Sequence, residues 1–206
     1  MSHVKSIFKG VKWTAIQFVL DFLFRFSIRF ILARLLLPEE FGLVGMCTVF
    51  ISIAGAASEL GMSAALIQRK SNEEVEKMFN TAFWTGLAWG AFVYILLSFG
   101  VGRFASYFYD EPMLNLLIPV LSLGILLKPF SLVHNVILIR AMDFKSLAKI
   151  FNISSFITGV LSIFGAFFLD FGVWALVTNM VLSFGLTIPL LYLKTNWKPR
   201  LEWNKL

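Results

Sequence analysis

The sequence predicts an all-α membrane protein, a bundle of six transmembrane helices with both termini on the inner side. Hydrophobic residues make up 58% of the 206 positions, Phe alone occurs 23 times, and the mean hydropathy is +0.81. Apolar residues account for about 45–50% of an average soluble chain, so this composition excludes an ordinary soluble domain. The chain also contains six apolar segments, each long enough to supply the roughly 20 residues that a helix needs to cross a bilayer.

The N-terminal region is expected to form a surface helix and then the first span. In residues 1–11, apolar side chains at helical spacing oppose Lys5 and Lys9, which predicts a short basic amphipathic helix on the inner membrane surface. The first span, residues 12–36, is too long for a cleavable signal peptide, carries internal charges and lacks a small-x-small cleavage site.

Five further spans follow, separated by short outer turns and longer, charged inner loops. They are residues 42–66, 80–103, 113–138, 149–169 and 172–193. Pro119 and Pro129 lie inside the fourth of the six spans and favour kinks there, because proline lacks a backbone N–H. With the first span, these segments make residues 12–193 one six-helix lobe, followed by an inner tail of residues 194–206.

The distribution of positive charge predicts the orientation of the bundle. Two of the 18 Lys and Arg residues, Arg34 and Arg103, fall in outer turns, and three lie within spans. The other thirteen are Lys5, Lys9, Lys12, Arg69, Lys70, Lys77, Arg140, Lys145, Lys149, Lys194, Lys198, Arg200 and Lys205. All thirteen lie on the inner side if the N-terminus is cytoplasmic, which is the usual positive-inside pattern.

The first span carries Gln17, Asp21, Arg25 and Arg29, whereas most membrane helices carry no charge. At about 100° per residue, these positions fall within an arc of about 120°. Charge in mid-bilayer is costly, so such residues usually face a bundle interior or a water-filled cavity. Two interpretations fit. Asp21 and Arg25, at i and i+4, form a structural ion pair that locks the helix to its neighbours, or the face lines a transport path whose surplus positive charge attracts an anionic solute.

Small and polar residues form a stripe on each of the later spans. The stripes include Gly45, Thr48, Glu59, Lys128, Ser131, Asn135, Asn152, Ser155, Asn179, Ser183 and Thr187. Close packing and hydrogen bonds between helices account for most of this pattern. Packing does not require charge, however. Glu59 on such a stripe points to a partner or a lumen, and Lys128 either joins the transport path or extends to the inner surface.

The sequence contains none of the familiar motifs of catalysis or cofactor binding. Cys47 is the only cysteine, and no Cys/His group has the spacing of a metal site. There is neither a P-loop nor a glycine-rich dinucleotide fingerprint, so we expect no metal, no cofactor and no enzyme activity. The inner loops explain the net charge of +6 without nucleic acid. His134, near a helix end, is expected at the membrane interface.

Five strings, taken in order and spacing, indicate a family. They are Ala33-Arg34-Leu-Leu-Leu-Pro38-Glu39-Glu40-Phe41-Gly42, Glu59-Leu-Gly61-Met-Ser-Ala-Ala-Leu-Ile-Gln68-Arg69-Lys70, Phe79-Asn80-Thr-Ala-Phe83-Trp84, Arg140-Ala-Met-Asp143-Phe144-Lys145 and Gly172-Val-Trp174-Ala-Leu-Val177. Together with the topology, they resemble the Wzx-type polysaccharide exporters, or oligosaccharide flippases, of the multidrug/oligosaccharidyl-lipid/polysaccharide superfamily. The resemblance covers essentially the whole chain.

The resemblance implies a multi-pass transporter in the bacterial inner membrane. Such transporters move undecaprenyl-diphosphate-linked oligosaccharides by alternating access between two six-helix lobes, and this sequence resembles the N-terminal lobe. Residues 194–206 then resemble the start of a linker, and the partner lobe is expected in cis or as a second copy in a homodimer. Arg25 and Arg29 would attract the diphosphate or acidic sugars. Asp21 and Glu59 are the expected sites of proton or cation coupling.

Two rival functions remain open at this point. One is export of drugs or small molecules by a transporter of the same superfamily. The other is a membrane protein of envelope synthesis that transports nothing, either a scaffold or an enzyme. An enzyme would need acid/base or metal-binding residues clustered at one membrane face, and the inner loops offer acidic residues without a supporting His or motif.

Overall fold

The computed structural model describes the backbone of residues 2–59, 66–67 and 74–200, and the side chains of residues 19–58, 66–67 and 77–200. The helices are α1 (Ser2–Leu35), α2 (Pro38–Glu59), α3 (Glu74–Ile95), a π-helical segment (Leu96–Val101), α4 (Gly102–Phe108), α5 (Leu114–Arg140), α6 (Phe144–Phe168) and α7 (Val173–Lys194). No strand occurs within the described backbone. The predicted fold class, an all-α multi-pass membrane protein, is confirmed.

Five of the six predicted spans correspond to helical segments that are long and apolar enough to cross a membrane. Within the described ranges these segments are Pro38–Ser58, Lys77–Phe108, Leu114–Arg140, Phe144–Phe168 and Val173–Lys194. α1 has 34 residues, which is ample length for a span, but its side chains are described only from Val19 onward, so its capacity to cross a membrane stays a prediction. Its described part carries the charged side chains Asp21, Arg25, Arg29 and Arg34. The count of six spans and the orientation of the bundle stay predictions.

α1 differs from expectation in its length. It runs unbroken from Ser2 to Leu35, so no helix boundary lies between residues 11 and 12. Gly10 is the only glycine in this segment and no proline occurs in it, and a helix tolerates a single glycine at a cost of about 1 kcal/mol. The division into a surface helix and a span stays a prediction, since the side chains of residues 1–18 lie outside the described ones.

α1 packs against α6 through a close contact. Ile28 of α1 fits over Gly159 of α6, where an added Cβ would lie 2.1 Å from Ile28 Cδ1. One helical turn away, the rings of Phe24 and Phe156 lie 5.2 Å apart. A side chain at position 159 would therefore displace Ile28, so the missing Cβ of Gly159 allows the two helices to approach closely.

The third span contains a change of helical geometry. α3 passes into the π-helical segment and then into α4, so one continuous helical run reaches Phe108 and not residue 103, where the predicted span ends. The hydrogen bond from Gly102 N–H to Leu97 O has the i to i−5 spacing of a π-helix. Gly102 is buried, and the side on which other residues carry a Cβ lies against Asn115 and Ile118 of α5.

α5 is the central helix of the bundle. It packs against α2, α3, α4, α6 and α7, and Leu114, Leu117 and Ile118 in its first two turns are fully buried. The helix continues through Pro119 and Pro129 without ending at either residue. This position explains why α5 presents buried side chains around most of its circumference.

Residues 195–200 form an extended segment that returns across the predicted inner ends of α3 and α5. Asn80, which is almost fully buried, accepts a hydrogen bond of 3.0 Å from Arg200 N–H. Trp84 Nε1 donates to Arg200 O at 3.2 Å. The indole of Trp197 packs edge-on against Phe79 and lies 6.0 Å from Phe83. Part of the predicted inner tail therefore belongs to the packed bundle, while residues 201–206 lie outside the described residues.

This segment also covers His134, which is fully buried within the protein. The expected position of His134 at the depth of the membrane interface stays a prediction. Its Nδ1 lies in hydrogen-bond contact with Thr195 Oγ1, and the rings of Tyr192 and Trp197 lie 4.0 and 5.5 Å from the imidazole. The residues that cover His134 come from the end of α7 and the segment after it, far from position 134 in sequence.

Candidate functional site

The charged face of α1 contains one ion pair. Arg25 Nε lies 2.9 Å from Asp21 Oδ2, one helical turn earlier. Both residues belong to α1, so the pair does not connect this helix to another one. Asp21 Oδ1 is buried and has no hydrogen-bond partner among the described residues.

Beside this pair lies a cavity of about 330 Å³, which we call the arginine cavity. Its polar lining consists of Arg25, Arg29, Thr48, Ser155, Thr158, Asn179 and Ser183, contributed by α1, α2, α6 and α7. The side chain of Arg25 is 53% exposed, and Arg29 is exposed as well. No acidic partner of Arg29 lies within the part of the chain whose side chains are described. The two guanidinium groups thus meet a polar space formed by four helices.

A second space, of about 490 Å³, adjoins the first, and we call it the lysine cavity. Its polar lining consists of Arg25, Lys128, Ser131, Asn135, Ser183 and Thr187. Arg25 and Ser183 line both cavities, so the two spaces meet at these residues. Members of the polar stripes predicted on four spans therefore line this pair of cavities: Gly45 and Thr48 on the second, Lys128, Ser131 and Asn135 on the fourth, Ser155 on the fifth, and Asn179, Ser183 and Thr187 on the sixth.

The described cationic side chains of the two cavities are Arg25, Arg29 and Lys128. On the described part of α1, the two guanidinium groups of Arg25 and Arg29 outnumber the one carboxylate of Asp21 beside them. Guanidinium groups bind phosphate and carboxylate oxygens in bidentate fashion. Hydroxyl and amide side chains in the same cavities offer hydrogen bonds to uncharged polar groups. The arrangement suits an anion that carries further polar groups.

Two of the predicted site residues lie outside the described side chains. Gln17 belongs to the part of α1 for which only the backbone is described, and Glu59 is the last residue of α2. The predictions for both residues remain predictions. Asp21, Arg25, Arg29 and Lys128 are described, and the structure places all four in or beside the two cavities.

A third cavity was not predicted from the sequence. This space of about 360 Å³ lies between α1 and α6 and is lined by Leu20, Asp21, Phe24, Asn152, Ile153 and Phe156. We call it the α1–α6 cleft. Four of its six residues are apolar, and in a membrane helix such residues have the same sequence signature whether they face lipid, a neighbouring helix or a cavity. The one available signal was Asn152, on the polar stripe of the fifth span.

The described part of the chain contains no group of three or more His, Cys, Asp or Glu residues that could hold a metal ion.

Comparison with known proteins identifies the family of this chain. Residues 31–206 match the family described as polysaccharide biosynthesis protein. The succinoglycan biosynthesis transport protein ExoT of Rhizobium meliloti (strain 1021) is 27% identical over 98% of this chain and 40% of its own length. The teichuronic acid biosynthesis protein TuaB of Bacillus subtilis (strain 168) is 30% identical over 88% of this chain and 37% of its own length.

A third relative is the lipopolysaccharide biosynthesis protein WzxC of Escherichia coli (strain K12), 26% identical over 73% of this chain and 30% of its own length. The chain thus spans between 30 and 40% of the length of these three relatives. No solved structure matches it. Since the family match covers all but the first 30 residues, the chain belongs to the polysaccharide biosynthesis protein family.

Proposed function

We propose that this chain is the N-terminal lobe of a lipid-linked oligosaccharide flippase, which exports polysaccharide precursors across the bacterial inner membrane. The names of the relatives, which include a biosynthesis transport protein and a lipopolysaccharide biosynthesis protein, support this proposal. The proposed substrate is an undecaprenyl-diphosphate-linked oligosaccharide, an anion with many hydroxyl groups and a hydrocarbon tail.

The observation that carries the proposal is the position of Arg25. This residue lines both polar cavities, with Arg29 in one and Lys128 in the other. A diphosphate carries negative charge on several oxygens, and neighbouring guanidinium groups offer it bidentate hydrogen bonds. Serine, threonine and asparagine side chains around the arginines suit the sugar hydroxyls. The surplus of positive charge disfavours the cationic compounds that many drug exporters carry.

We further propose that Asp21 couples transport to a proton or another cation. Its carboxylate neutralises Arg25 across 2.9 Å. A proton or cation on Asp21 weakens this pair and frees the guanidinium for an anionic substrate. Glu59 is the second proposed coupling residue. Alternating access then consists of opening and closing the path around Arg25 from opposite sides of the membrane.

The proposed partner is a second six-helix lobe, either in cis or as another copy in a homodimer. Arg25 and Arg29 are exposed in the described structure, and a charge in contact with lipid is costly. A second lobe that faces α1 and α2 removes this cost by closing the polar path.

The test is an export assay in the host of this protein. Arg25→Ala and Arg29→Ala, introduced into the chromosomal gene, should each reduce surface polysaccharide at least tenfold while leaving the amount of the protein in the membrane unchanged. Arg103→Ala is the matched control, because this arginine lies beside Phe99 at the other end of the bundle and lines neither cavity. Normal export by both α1 variants contradicts the proposal.

A further inference from the structure

The α1–α6 cleft combines an aromatic wall with an opening toward the membrane. Phe24 of α1 and Phe156 of α6 face each other, with ring centroids 5.2 Å apart. Leu20 and Ile153, on the same two helices, are 57% and 48% exposed, so the cleft is not closed by other parts of the described structure. An apolar chain can therefore reach this space sideways from the bilayer.

One end of the cleft is polar. Among the described side chains of its lining, Asp21 and Asn152 are polar. Asp21 is bonded to Arg25, and Arg25 lines the two cationic cavities. A single ion pair on α1 thus separates an apolar space from a positively charged one.

We propose that the α1–α6 cleft binds the hydrocarbon tail of the lipid-linked substrate next to its anionic head group. This inference rests on the proposed function, and it adds a binding site that the function does not require. The head group lies at Arg25 and Arg29, and the first isoprene units of the tail pass Asp21 and lie against the Phe24–Phe156 ring pair. An amphiphile in this position has its head group in the arginine cavity and the start of its tail in the α1–α6 cleft.

The cleft selects the shape and position of the tail, and it contributes little general hydrophobic affinity. A lipid tail already lies in hydrocarbon, so moving it into an apolar cleft removes no apolar surface from water. What the cleft adds is close contact with two aromatic rings. Its volume of about 360 Å³ is at the small end of ligand pockets, which fits the part of the tail nearest to the head group and not a whole long chain.

The first experiment locates the tail. The 206-residue chain is placed in phosphatidylcholine nanodiscs with a farnesyl diphosphate analogue that carries a diazirine on its first isoprene unit, and the adducts are mapped by mass spectrometry. The expected adducts lie on Leu20, Phe24, Ile153 or Phe156, and unlabelled farnesyl diphosphate competes with them. Adducts spread evenly over lipid-facing residues, without enrichment in the cleft, overturn the proposal.

The second experiment fills the cleft. Phe156→Trp and Ile153→Trp should each reduce labelling in the cleft about fivefold while leaving the binding of inorganic pyrophosphate, measured by calorimetry, unchanged. Phe164→Trp is the matched control, since Phe164 lies two turns further along α6, has a similar exposure of 50% and lines none of the three cavities. Monodisperse elution in detergent shows which variants are folded, and labelling that persists in folded variants overturns the proposal.

Arg25→Gln separates this inference from the proposed function. The proposal expects loss of both pyrophosphate binding and cleft labelling in this variant. Pyrophosphate binding that depends on Arg25, combined with labelling outside the cleft, overturns the tail site and leaves the anion site intact. Cleft labelling that does not respond to Arg25→Gln overturns the proposed link between head and tail, because the tail would then bind without the head group.

Discussion

Glu40 and Gly172 lie in direct contact at the predicted outer end of the bundle, although they belong to different turns. Glu40 Oε2 accepts a hydrogen bond of 2.8 Å from Leu37 N–H, which is the reciprocal half of a capping box at the start of α2. A Cβ added at residue 172 would lie only 2.3 Å from Glu40 Oε1, which is too close for two non-bonded atoms. Gly172 has a φ of +51°, a conformation that other residues rarely adopt. One carboxylate thus caps α2 and occupies the space that a glycine leaves beside α7.

Gly172→Ala should destabilise the protein for two reasons, backbone strain and the clash with Glu40. Strain at such a backbone position costs about 1–3 kcal/mol. The measurement is the midpoint of thermal unfolding in detergent. Gly185→Ala is the control, because this α7 glycine has nothing within 4 Å of an added Cβ. Equal midpoints for the two variants contradict the account of this contact.

Asp143 is expected to stabilise α6 in a pH-dependent way. It is the N-cap of α6, and its Oδ1 accepts a hydrogen bond of 3.1 Å from Ser146 N–H. Hydrogen bonds from Ser146, first from its side chain and then from its backbone, lower the pKa of Asp143 from its ordinary value. The cap therefore contributes fully above the pKa of an unfolded aspartate, and this contribution is lost as the pH falls through the lower pKa of the folded chain.

Asp143→Ala should cost about 1 kcal/mol near neutral pH, the usual value for a lost cap. Asp143→Asn retains an acceptor at the cap and should cost less. Thermal unfolding at pH 7 and near pH 3 provides the measurement, and the difference between wild type and Asp143→Asn should shrink at the lower pH. A difference that grows on acidification contradicts the direction of the pKa shift.

Trp197 is expected to hold residues 195–200 against the bundle. Its indole contacts the rings of Phe79 and His134, and the segment it anchors ends at the backbone hydrogen bonds of Arg200. Trp197→Ala should increase the rate of tryptic cleavage after Arg200 about tenfold, since a bound segment must open before a protease can cut it.

Trp89→Ala, at a partly exposed position on α3, is the control for the loss of a tryptophan. Cleavage after Arg200 should remain slow in this variant. Equal cleavage in wild type and Trp197→Ala would show that Trp197 does not hold the segment.

The sequence predicted the parts of this molecule that depend on local pattern. Five helices follow from apolar runs that end at turns or charged loops. The charged face of α1 was visible because Asp21, Arg25 and Arg29 interrupt an apolar segment at helical spacing, and the stripes with Lys128 and Ser183 followed from the same periodicity. The structure adds that these stripes face two adjoining cavities.

The features that were missed depend on contacts between distant parts of the chain. His134 is buried by Tyr192, Thr195 and Trp197, and no pattern near position 134 indicates this. In the sequence, Gly159 looks like any other small residue on a helix stripe, but its packing role depends on Ile28 of another helix. The π-helical segment has no distinctive sequence either. Such pairings are set by the packing of the bundle as a whole.

The central claim is that a water-accessible, positively charged path passes Arg25. The most direct test places a cysteine at Ser183, which lines both cavities, in a Cys47→Ser background. The hydrogen bonds that other residues make to Ser183 use its backbone carbonyl, so cysteine preserves them. Reaction rates are compared for a negatively charged and a positively charged methanethiosulfonate, with a cysteine at the lipid-facing Leu161 as control.

The account predicts that Ser183→Cys reacts at least about tenfold faster with the negative reagent, because a cavity with a surplus of positive charge concentrates anions. The ratio should fall to about one when Arg25 and Arg29 are both replaced by Gln, and Leu161→Cys should react with neither reagent. Failure of Ser183→Cys to react, or a preference that persists without the two arginines, contradicts the central claim.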